Sequence, residues 1–132
     1  MDRLRQRADF LAVAKGARVN AAAFTLQSRS RDDAGPIRVG FTVTKQNGTA
    51  TERNRIRRRL REMVRELAQA ADVMAMRPHH DYVLVGRRAA LTRDFATLLE
   101  DFRAALRRLD RQPANDTRAK SRQPDRMTRP ER

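Results

Sequence analysis

Apolar residues recur at Ile56, Leu60, Met63, Val64, Leu67 and Ala71, a three-and-four spacing that predicts an amphipathic helix with one buried stripe. At about 100° per residue, Asn54, Arg57, Arg58, Arg61 and Arg65 fall on a second stripe facing away from the first. Thr49 or Thr51 supplies a capping hydroxyl, Glu52 suits the positive helix start, and Pro78 lies just past a predicted end near Ala75. The same period predicts a short helix over Arg7–Lys15, with Phe10, Leu11, Val13 and Ala14 apolar and Gly16 as the stop. It also predicts a closing helix from Thr92 to about Arg111, carrying Phe95, Leu98, Leu99, Phe102, Leu106 and Leu109 on one face. A period of two marks strands at Ala23–Ser30 and Ile37–Thr44, and a short β-branched run bounded by Pro and Gly signals marks a third at Asp81–Gly86. Arg31 to Pro36 is turn chemistry, so the first two strands are expected to pair as a hairpin.

The predicted order is thus α-β-β-α-β-α, an α/β (α+β) sandwich in which a small central sheet carries packed helices. If the second and third strands are parallel, the long helix is the crossover between them, which by the general norm would be right-handed. Residues 1–112 are expected to form one domain. Residues 113–132 hold Pro, Ser, Asp and Arg with almost no large apolar residue, and are expected to be a disordered basic tail.

Charge narrows the function. Thirty Lys plus Arg against sixteen Asp plus Glu give a formal charge of +14, whose self-repulsion is best relieved by a large polyanion. Nearly all the cations are Arg, whose bidentate fork matches phosphate oxygens and stacks on bases. From Arg53 to Glu66 there are seven Arg and two Glu, an excess that acidic residues within the helix do not balance. The absence of Cys gives no reason to expect an oxidising compartment. The apolar run Phe10–Ala14 is too short for a signal peptide or a membrane span, and the basic helix has no aromatic residue on its apolar face to seat it in a membrane. A cytoplasmic protein with no membrane partner is expected.

Little in the chain reads as catalytic. His79 and His80 are adjacent and lack further ligands at metal-binding spacing. Glu62 and Glu66 read as solvated helix acids, with Glu62 in reach of Arg58 or Arg59, and Asp32 and Asp33 suit the turn they occupy. Gly48 after Lys45 does not complete a phosphate-cradling loop, so no small-molecule cofactor is expected. Phe10 and Val13 either belong to the core or line a groove over the sheet in which an unpaired base could stack. The expected site is therefore a binding surface: no catalytic residue and no metal ligand is assigned to the chain.

Lys45, the Gly48 loop and Arg53-Asn54-Arg55-Ile56-Arg57-Arg58 opening a long basic helix together resemble the protein component of bacterial ribonuclease P. The resemblance runs from Asp9-Phe10 through Gly16, Arg18 and Arg38-Val39-Gly40 to Asp81-Tyr82-Val83-Leu84-Val85 and the closing helix, about residues 5 to 110. It implies a ribonucleoprotein endonuclease that removes the 5′ leader of precursor tRNA. The RNA subunit would carry the active site and its magnesium, and the protein would bind that RNA and the substrate. It implies a left-handed βαβ crossover, against the norm, and a cleft between the first helix and the sheet that holds the single-stranded leader. By position, Phe10, Arg18 and Lys45 are leader-cleft candidates. Arg53, Asn54, Arg55, Arg57, Arg58, Arg61 and Arg65 are candidates for contact with the RNA subunit or substrate. Ala14 stands where some members have a second aromatic, and Thr49-Ala50-Thr51 stands where Asn-Ala-Val is common. The rival readings are a general RNA-binding or ribosome-associated protein, and a DNA-binding module with its Arg helix in the major groove.

Overall fold

The computed structural model describes residues 2–33, 35–69, 76–77 and 79–111. The predicted helix beyond Gln69 and the tail expected at 113–132 lie outside them. The chain forms β1 (Asp2–Arg3), α1 (Arg7–Ala14), β2 (Ala17–Asn20), β3 (Phe24–Ser30) and β4 (Arg38–Thr42), then a 3-10 turn at Lys45–Asn47 and α2 (Ala50–Gln69). It continues with β5 (His80–Gly86), a second 3-10 turn at Arg88–Leu91 and α3 (Phe95–Arg111).

The five strands make one sheet in the order β1-β4-β5-β3-β2. This extends the predicted α-β-β-α-β-α order by two strands. β1 has two residues, too few to show a period, and β2 (Ala-Arg-Val-Asn) buries Val19 alone. The hairpin expected between the first two predicted strands, β3 and β4, does not form. β3 pairs antiparallel with β2 and β5, and β4 pairs parallel with β5 and β1. The true hairpin is β2–β3. The turn-like segment after β3 is instead anchored to the start of β5, through Arg31 N to His79 O at 2.8 Å and Arg31 Nη1 to Asp81 Oδ1 at 2.6 Å. That leaves β3 and β4 apart by the width of β5. Tyr82, Val83 and Leu84 are buried, as a strand covered on both faces requires.

Helices α2 and α3 cover one face, where Phe24, Leu26, Val39, Val43 and Leu84 meet Ile56, Leu60, Met63, Leu67, Leu98, Phe102 and Leu106 in the main core. Helix α1 covers part of the other, where Leu4, Val13 and Val83 form a smaller cluster with Phe10 and Val85 at its margin. β3 is accordingly buried from Phe24 to Ser28 rather than alternating. Buried polar chemistry concentrates at one end of the α1 face. Arg29 and Arg38 lie directly opposite Asp81 in the two neighbouring strands. Both donate to its carboxylate, as does Arg31. Asp9 of α1 reaches Arg29 and Arg38 at 3.5 Å, tying the helix to this cluster.

Candidate nucleic-acid interface

The start of α2 is built by a reciprocal cap. Thr49 Oγ1 accepts from Glu52 N at 3.2 Å while Glu52 Oε1 accepts from Thr49 N at 2.9 Å, which satisfies two otherwise unpaired helix-end groups. Of the two predicted caps, Thr49 is the one used. The predicted apolar stripe is buried at Ile56, Leu60, Met63, Val64 and Leu67; Ala71 lies outside the described residues.

The arginines of α2 sort by environment. Asn54, Arg55, Arg58 and Arg65 are exposed, whereas Arg53, Arg57 and Arg61 are half-buried along the flanks. Arg53 Nε donates to Gly48 O at 3.2 Å, and Arg57 Nη1 donates to Asn54 Oδ1 at 2.9 Å. Arg61 lies over the Phe41 ring, 5.8 Å from its centroid, with Nε buried and lacking a hydrogen-bond partner among the described groups. A guanidinium stacked this way keeps its charge while its stem covers apolar surface. The stripe is therefore less uniform than the helical wheel implies, since Arg61 leans on the sheet. Arg65 is paired with Glu62 at 2.8 Å. This is the partner Glu62 takes, in place of the expected Arg58 or Arg59. Arg59 is committed to structure, donating to the carbonyls of Ala90, Leu91 and Arg93 at 2.8, 3.1 and 2.7 Å.

On the α1 face, Phe10 stacks on bare backbone. A Cβ built on Gly40 would come within 2.6 Å of the Phe10 ring, so glycine there lets the ring reach the sheet. Arg18 projects from edge strand β2 on the same face, in register with Gln27. Arg18 and Lys45 are exposed and Phe10 is half-buried. Lys45 opens the 3-10 turn that follows β4. Phe10 and Arg18 thus share a sheet face, and Lys45 sits at the end of the sheet from which α2 starts. Thr25 and Gln27, both buried, complete the floor of this face beside Thr42 and Val85. The period-two reading of β3 contained them, but no motif drew attention to them.

Among the described residues, no three His, Asp or Glu side chains come together as a metal-binding group. Burial alone would raise the Asp81 pKa, but hydrogen bonds from Arg38 and Arg31 outweigh that and hold it below the usual carboxylate value. Its oxygens already face three guanidiniums, which would repel a divalent cation. Glu52 is lowered to about 2 by its hydrogen bonds with Arg88 and the Thr49 backbone. His79 sits in an exposed turn at φ 62°, its Nδ1 3.1 Å from Gly35 O, and His80 stacks on Tyr82. No helix among the described residues is long and apolar enough to cross a membrane.

A family model described as Ribonuclease P matches residues 1–110. The chain belongs to the ribonuclease P protein family. A "Ribonuclease P protein component" from Caulobacter vibrioides (strain NA1000 / CB15N) is 46% identical over 80% of this chain and 68% of the relative. One from Gluconacetobacter diazotrophicus is likewise 46% identical, over 80% of this chain and 89% of the relative. Among solved structures, the RNase P protein from Thermotoga maritima is 27% identical with a TM-score of 0.65, covering 82% of this chain and 97% of the other. The RNase P protein of Staphylococcus aureus shares the fold at a TM-score of 0.65 and 22% identity, covering 81% of this chain and 94% of the other. The five-stranded sheet with three helices is thus the ribonuclease P protein fold, and α2 is its basic helix.

Proposed function

We propose that this chain is the protein subunit of a ribonucleoprotein that removes the 5′ leader from precursor tRNA, binding the RNA subunit and the leader while the RNA performs catalysis. The observation that carries the reading is the pairing of an under-neutralised basic helix on one face of the sheet with a half-covered opposite face. Arg53, Asn54, Arg55, Arg57, Arg58, Arg61 and Arg65 serve the RNA subunit or the substrate backbone, chiefly through sequence-independent phosphate contacts. Phe10, Arg18 and Lys45 line the path of the single-stranded leader, with Phe10 offering a surface for base stacking. With Ala14 one turn on, the aromatic platform is a single ring.

Magnesium, when bound, supplies the phosphodiester chemistry and belongs to the RNA and substrate. The protein's own part is to hold the leader and screen phosphate repulsion, so that less magnesium is needed. Residues 1–112 act as one RNA-binding domain in the cytoplasm, and the basic segment 113–132 adds non-specific attraction to RNA. A general RNA-binding protein would share the helix but would not distinguish substrate from product.

The decisive experiment is precursor-tRNA cleavage by an RNA subunit at low magnesium, with and without this protein. Rescue of cleavage by the protein, with tighter binding of precursor than of mature tRNA, is the expected result, and protein alone should leave the substrate intact. Magnesium-dependent cleavage by RNA-free protein would overturn the division of labour. Equal affinity for precursor and mature tRNA would favour the general binder.

A further inference from the structure

Arg88, in the 3-10 turn between β5 and α3, is fastened to the start of α2. Its Nη1 and Nη2 donate to Glu52 Oε1 and Oε2 at 2.9 and 3.0 Å. Its backbone N donates to Asn47 Oδ1 at 3.0 Å, and Nη1 also reaches Asn47 O at 3.3 Å. Glu52 simultaneously closes the Thr49 cap. Between them sits Gly48 at φ +140°, where a side chain would be strained and its Cβ would come within 2.5 Å of Glu52 Oε1 and 2.8 Å of Arg88 Nη1, displacing the pair. In the opposite direction Arg59 of α2 grips the carbonyls of Ala90, Leu91 and Arg93. Each of the two segments therefore sends an arginine into the other.

We propose that Arg88 is a positioning residue for the RNA-facing end of α2, acting through Glu52, an inference that rests on α2 being an RNA-contacting surface. Lys45 and Asn47 are the first and last residues of one 3-10 turn, and Arg53 is hydrogen-bonded to Gly48 O. Both cations take their places from the Glu52–Arg88 pair. An exposed ion pair contributes little to stability, so the worth of this one lies in its geometry. A bidentate fork fixes orientation as well as distance.

The inference opposes simple electrostatics. Replacing Glu52 with Gln removes a negative charge from the basic end of the helix, and charge counting alone predicts tighter RNA binding. Positioning predicts the reverse. The test uses the full chain with an RNA subunit and precursor tRNA, reading protein-dependent kcat/KM at low magnesium and RNA affinity across a salt series. Glu52→Gln and Arg88→Ala should each weaken the protein's effect about tenfold, the size of a lost charge-assisted contact. The double variant should be no worse than either, and the salt slope should be unchanged. Arg88→Lys, which keeps the charge but not the fork, should fall between wild type and Arg88→Ala. Thermal unfolding run alongside should show all four variants folded.

Tighter RNA binding by Glu52→Gln would overturn the inference. So would a salt slope reduced by about one unit in Arg88→Ala, the mark of a lost phosphate contact, or wild-type behaviour of Arg88→Lys. Failure of the wild-type protein to stimulate the RNA subunit would instead sink the functional reading beneath it.

Discussion

Arginines that look alike in the sequence do different work in the fold. Arg58 is exposed on α2, whereas Arg59, its neighbour, is consumed by three carbonyls. Arg58→Ala should lower the salt slope of RNA binding by about one unit with stability unchanged. Arg59→Ala should leave the slope alone and lower the urea midpoint, because three partly buried carbonyls lose their donor. Equal slopes for the two variants would refute the assignment. Helical periodicity placed Arg58 on the outer stripe and kept Arg59 off it, so this difference in exposure was legible from spacing. The lean of Arg61 onto Phe41 was not, since it depends on which strand lies under the helix.

At the scale of elements, α1 is the lightly held wall of the proposed leader cleft. It is a helix of eight residues with one fully buried side chain, Val13. It is held by the small cluster with Leu4 and Val83, and by Asp9 against Arg29 and Arg38. Gly40→Ala would thrust a methyl group into the Phe10 ring and push the helix outward. The expected outcome is a selective loss of precursor over mature tRNA discrimination, about threefold to tenfold for a displacement worth about 1 kcal/mol. Binding of the RNA subunit through α2 should persist, and a parallel loss of both would show that the two surfaces are not separable. Three helices and the three longer strands were readable from periodicity. The strand order was not, because turn residues between β3 and β4 report a change of direction and say nothing about which strand fills the gap.

For the whole molecule, a surplus of positive charge coexists with a few deeply committed carboxylates. Asp81, with its side chain fully buried, carries a lowered pKa through Arg38 and Arg31, against the pull of burial. Asp33 is lowered by the Gly35 backbone and Arg31, and Glu52 falls to about 2. A carboxylate depressed in the folded state contributes stability that is present above its unfolded value, about 4, and is lost as pH falls through the folded value. Urea midpoints should therefore hold steady from neutrality to about pH 5 and decline below about pH 4. Asp81→Asn should remove much of that acid dependence while destabilising the protein at neutral pH by about 3–5 kcal/mol, the usual result of stripping one partner from buried ions. A variant as stable as wild type at pH 7 would contradict the central role of this carboxylate. The cluster had a trace in the sequence, an Asp heading the apolar run Tyr82–Val85, but recognising it required the register that sets Arg29 and Arg38 opposite.

The position of β5 between β3 and β4 also bears on synthesis. Until His80–Gly86 has left the ribosome, the nascent chain holds two strand pairs, β2–β3 and β1–β4, with no shared neighbour to join them. The basic helix is translated earlier and has no sheet to rest against in that interval. Completion of the tertiary structure should therefore come late and in one step, and a chain arrested before His80 would be a cationic polypeptide without a fold.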